Sequence, residues 1–95
     1  MFFSSLSAAL ADATPAACQS LIAQGVKFCV AVENQRGEWF LLHADDQGHA
    51  GSLATHWIEA MGARGASARR IFPEGIAAKP FFTVYEDCGF ESEAA

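Results

Sequence analysis

Residues 26–44 read Val26-Lys27-Phe28-Cys29-Val30-Ala31-Val32-Glu33, then Asn34-Gln35-Arg36-Gly37, then Glu38-Trp39-Phe40-Leu41-Leu42-His43-Ala44. In the first run the period is two. Val26, Phe28, Val30 and Val32 point one way, and Lys27, Cys29, Ala31 and Glu33 the other, as a strand requires. The second segment carries turn residues. The third has Trp39, Phe40, Leu41 and Leu42 in unbroken succession, so it is apolar on both faces. That pattern predicts a strand covered on both sides, hence central in its sheet. The two strands form a hairpin.

Upstream, the period is helical. Phe3, Leu6, Ala9, Leu10 and Ala13 share a stripe, opposite Ser4, Ser5, Ser7 and Asp12, which predicts a helix over residues 4–12. The segment is apolar, and Ala9-Leu10-Ala11 imitates a leader cleavage site. It lacks the basic start and the length of about 15–30 residues of a secretory leader, so a helix is the simpler expectation. Thr14-Pro15 restarts the chain, with Thr14 as cap and Pro15 at the first helical position. A second helix over residues 15–24 carries Ala17, Cys18, Leu21 and Ile22 on one face and stops at Gly25.

Downstream, Asp45-Asp46-Gln47-Gly48 reads as a polar loop. Ser52 is expected to cap a third helix, whose buried face is Leu53, Ala54, Trp57, Ile58 and Met61. Residues 66–72 form a strand stopped by Pro73-Glu74-Gly75, and residues 81–86 alternate as the last strand. The order α-α-β-β-α-β-β with short connections predicts a small α+β domain, its antiparallel sheet carrying the helices on one face. Residues 88–95 are expected to fray as an acidic tail.

Composition narrows the function classes. The formal charge is −5, from 11 acidic and 6 basic side chains. Such a chain disfavours nucleic acid and anionic membrane and favours a protein partner with a basic surface. No apolar run approaches the length of about 20 residues that spans a bilayer. Cys18, Cys29 and Cys88 are odd in number and form no C-x-x-C pair, so free thiols in the reducing cytoplasm are expected.

Motifs for chemistry are weak. His43, His49 and His56, with Asp45 and Asp46, have no ligand spacing of a metal site, so no metal or cofactor is expected. Asp45-Asp46-Gln47-Gly48-His49 fails the calcium-loop pattern at alternate positions. A nucleophile built from Cys29 or Cys88 with His43 lacks an elbow motif. In Arg69-Arg70 the two side chains leave opposite faces of a strand, so one alone can face a given anion, with Arg64 as a neighbour. Trp39 and Trp57 fit a core, or an anchor for a partner.

The remaining feature is the C-terminal run. Glu86, Asp87, Glu91 and Glu93 surround Phe90 with no basic residue among them. A large ring within carboxylates suits an apolar pocket rimmed by Lys or Arg, so these five residues are the expected partner-binding set. The resulting expectation is a non-catalytic protein-binding module, of the inhibitor or immunity type. Anti-CRISPR proteins and toxin-immunity proteins share its size, acidity and lack of motif, a likeness of class and not of residues. Two alternatives stand beside it: a small metal- or cysteine-dependent enzyme using His43, His49 and a cysteine, and a structural subunit of a homodimer.

Overall fold

The computed structural model describes residues 2–85 and 90–92. Three helices and six strands follow in the order α1 (Leu6–Asp12), α2 (Pro15–Ala23), β1 (Phe28–Glu33), β2 (Trp39–Ala44), α3 (Gln47–Glu59), β3 (Gly65–Phe72), β4 (Gly75–Ile76), β5 (Phe82–Tyr85) and β6 (Phe90–Ser92). All pairings are antiparallel, and the class is α+β. Phe90–Ser92, within the run expected to fray, pairs with β5 as a strand. Cys88 lies outside the described residues.

Local capping fixes the helix starts. Ser5 Oγ accepts from Ala8 N–H at 3.1 Å and Thr14 Oγ1 from Ala17 N–H at 3.2 Å. Pro15 occupies the first turn, where its missing N–H costs nothing. The third helix starts well before Ser52, with Asp46 at its N-cap. The Asp46 Oδ1 accepts from His49 N–H at 2.7 Å. The carboxylate is a stronger start signal than Gly48 and Gly51 are breakers, because the helix is held by packing as well as propensity. A methyl group on Gly51 would sit at ordinary contact distance, 3.8 Å, from Phe82 Cζ. Gly51→Ala should therefore raise stability by about 0.5–1 kcal/mol, from the entropy glycine loses on folding. A lowered urea midpoint would instead show that α3 and Phe82 have no room to share.

The sheet order is β2-β1-β3-β5-β6, with β4 pairing the far end of β3. The strand expected at the centre, β2, is thus an edge. The central strands are β1 and β3, buried over almost their whole lengths. The unbroken apolar run of β2 has a different cause: both faces of the sheet carry helices. On one face α3 packs Ala50 and Ala54 onto Phe28, Val30, Val32, Ala66, Ala68 and Phe82, with Phe40, Leu42 and Trp57 at the margin. On the other, α2 brings Cys18 and Leu21 onto Cys29, Ile71 and Leu41. The helices, expected on one face, divide between two, because Cys29 and Val30 point oppositely and both need apolar cover.

Candidate functional site

Of the expected partner-binding set, Glu86, Asp87 and Glu93 lie outside the described residues. Phe90 and Glu91 fall in β6, in register with Val84 and Thr83, at the sheet edge remote from β2.

The alternative built on histidine and cysteine can be placed directly. The register sets Cys29 opposite His43. The Cys29 thiol, however, is buried. Desolvation pushes its pKa up to about 12, outweighing the lowering by the Arg69 guanidinium; Cys18 adds to the rise. A thiol in that state supplies no thiolate near neutral pH, and the thiolate is the nucleophile. His49 sits in the first turn of α3, its Nδ1 at 3.0 Å from Asp45 Oδ1 on the surface. Among the described residues no three His, Cys, Asp or Glu side chains gather as a metal would require.

Two other features are built by the fold. The first is the outer edge of β2. Asn34 N–H donates to Glu38 O at 2.9 Å across the hairpin turn. This sets Val32–Phe40, Val30–Leu42 and Phe28–Ala44 as hydrogen-bonded pairs, so Trp39, Leu41 and His43 turn their backbone groups outward. Trp39 is taken: its N–H donates to Phe3 O at 2.8 Å and its O accepts from Phe3 N–H at 2.7 Å. Beyond that bridge, among the described residues, Leu41 and His43 leave their outward groups open.

Each face of this edge has a groove. On the α3 side a cavity of about 430 Å³ is walled by Phe2, Phe40, Leu42 and Trp57. Its rings meet edge to face, Phe2–Phe40 at 5.5 Å and Phe40–Trp57 at 4.8 Å between centroids. Phe2 remains 60% exposed. On the α2 side a groove of about 410 Å³ carries Phe3, Ala17 and Leu21 together with Asp12, Ser20 and His43.

The second feature is a cavity of about 200 Å³ over the start of β3, lined by Leu6, Glu33, Trp39, Ser67, Arg69, Pro80 and Thr83 among others. The two arginines separate as strand alternation requires. Arg70 lies over the Phe81 ring at 4.8 Å and the Phe28 ring at 5.8 Å. Arg69 enters the opposite face and is 5% exposed. Burial lowers the Arg69 pKa, with Cys29 acting against that, from a value so high that the guanidinium stays charged. Its Nη1 donates to the carbonyls of Ala77 and Ala78. Arg64, expected as a neighbour, instead approaches Glu33 at 4.0 Å. Ser67 and Thr83 escaped the sequence reading. The available signal was their spacing: Ser67 lies two residues before Arg69 and so shares its face.

No helix among the described residues is long and apolar enough to cross a membrane. Comparison with family models, with curated proteins and with solved structures finds no match.

Proposed function

We propose that this chain is a non-catalytic protein-binding module that captures an extended segment of a basic partner along the outer edge of β2. The observation that carries the reading is the pairing of open backbone groups at Leu41 and His43 with a groove on each face of the same strand. An added strand would bond to those groups and send alternate side chains to opposite faces. One set meets the rings of Phe2, Phe40 and Trp57. The other meets the side that holds Asp12. The partner segment therefore alternates apolar residues with Lys or Arg. The net charge of −5 acts in the same sense. Glu86, Asp87, Glu91 and Glu93, with Phe90, belong to this reading as a second contact that attracts a basic surface. An inhibitor or immunity-type role in the cytoplasm suits such a module, since covering a partner's surface requires no chemistry.

The test is a screen of displayed eight-residue peptides. Enrichment of alternating apolar and basic sequences, with affinity that falls as salt rises, is the expected result. His43→Pro should abolish capture while leaving the circular dichroism spectrum intact. Proline there removes an outward donor and spares the β1–β2 ladder. Equal binding by wild type and His43→Pro would end the strand-addition reading. Light scattering at two concentrations addresses the homodimer: a dimer abolished by His43→Pro would mean that a second copy takes this edge.

A further inference from the structure

The cavity over β3 is lined by two residues with buried polar atoms that have no hydrogen-bond partner among the described residues, Ser67 Oγ and Arg69 Nε. Both side chains are more than nine-tenths buried, with exposures of 6% and 5%. The two hydrogen bonds that the Arg69 guanidinium makes both leave Nη1. No carboxylate among the described residues forms an ion pair with it; Glu33, which lines the cavity, engages Arg64. A buried cation with an idle donor, on the same strand face as an idle hydroxyl, is a costly arrangement. Natural interiors rarely keep one without a role.

We propose that this cavity is a binding site for a small monocarboxylate. One carboxylate satisfies each idle group. Its two oxygens accept from the Nε side of the guanidinium, the fork geometry that arginine presents to carboxylates. Ser67 O–H donates to the same oxygens. Thr83, opposite Ser67 in the β3–β5 register, places a second hydroxyl-bearing residue in the lining. Leu6, Trp39 and Pro80 supply apolar walls for a short hydrocarbon body. The volume of about 200 Å³ equals the liquid share of roughly six or seven waters, which suits an acid of about three to five carbons. Glu33 in the lining brings a negative charge that opposes a second one on the ligand. Dicarboxylates and phosphate are therefore disfavoured. The site takes Trp39 from β2 but neither Leu41 nor His43, the open part of that edge, so His43→Pro should leave it intact.

The experiment is a nitrogen-15 NMR titration of the full chain with propionate, succinate and inorganic phosphate. Sodium chloride at matched ionic strength serves as control, and an amidated peptide with one central Glu tests a carboxylate presented by a polypeptide. Propionate should produce saturable shifts at Gly65, Ser67, Arg69 and Thr83 and move the Arg69 Nε–H resonance. Succinate and phosphate should bind more weakly. Ser67→Ala, which removes one hydroxyl and adds nothing, should weaken propionate by about five- to tenfold, the effect of one hydrogen bond. Arg69→Lys keeps the charge, loses the fork and should abolish the shifts. Should that variant fail to fold by circular dichroism, Ser67→Ala decides alone. Shifts equal to those from chloride, equal affinity in Ser67→Ala, or binding of the peptide without propionate would each overturn the proposal.

Discussion

Phe28→Ala should cost about 3–5 kcal/mol of folding stability, the range for removing a buried ring and leaving its space unfilled. Phe28 is 7% exposed and belongs to the core under α3. Its ring meets Phe81 edge to face at 5.7 Å, and Arg70 lies over it. The residue starts β1, in register with Ala44 on one side and Arg70 on the other. Neither alanine nor a surface arginine can move in to refill the site. A chain of this length has a net stability of about 5–14 kcal/mol, so the variant retains a thin margin. Urea unfolding followed by far-ultraviolet circular dichroism should show a large drop in midpoint with little change in slope. Thr55→Ala, on the exposed side of α3, is the control and should move stability by less than about 0.5 kcal/mol. A Phe28→Ala loss below about 1 kcal/mol would show that the ring is not held as the register implies.

The second large effect is a loss of stability in alkali. Cys29 has an ordinary thiol pKa of 9.0, raised by burial to about 12 in the folded chain. Above pH 9 the unfolded chain releases this proton while the folded chain keeps it. The unfolded state then binds fewer protons, so stability falls with rising pH. The contribution is whole below pH 9 and is lost progressively as pH rises toward about 12. Each pH unit in that window removes about 1.4 kcal/mol, or on the order of 4 kcal/mol across it. Urea midpoints at pH 8, 9, 10 and 11 measure the slope. Other groups titrate in the same range, so the decisive quantity is the difference between wild type and Cys29→Ala. The variant begins less stable, from the small cavity it creates, and should decline less steeply. Parallel slopes would place the thiol in water instead of between α2 and the sheet.

How much was legible follows from which signals are local. The alternation in Phe28–Glu33 was readable because a period of two needs no knowledge of neighbours. Thr14-Pro15 likewise fixed a helix start within a few residues. Asp46 carried an equally local signal, yet Gly48 and Gly51 after it argued for a loop. The packing of α3 at Gly51 against Phe82, more than thirty positions away in sequence, made that glycine tolerable. Arg69 and Arg70 were correctly separated by strand alternation. The cavity was not foreseen, because it needs Leu6, Glu33, Ser67 and Pro80 to meet, and no periodicity links them.

The amino-acid sequence by itself determined the α+β class and the order of the three helices and four of the strands, missing the short β4 and β6, since period, capping and turn chemistry act over a few residues. Tertiary structure alone decided that β2 is an edge and β1 is central. An apolar run reports that both faces are covered; it cannot report whether a neighbouring strand lies alongside, because hydrogen bonding within a sheet runs perpendicular to side-chain direction. Tertiary structure likewise decided that Ser67 Oγ and Arg69 Nε are buried with no hydrogen-bond partner among the described residues. Burial is a property of what the rest of the chain places above a residue. At β3 that cover leaves space over a hydroxyl and a guanidinium that no described side chain fills.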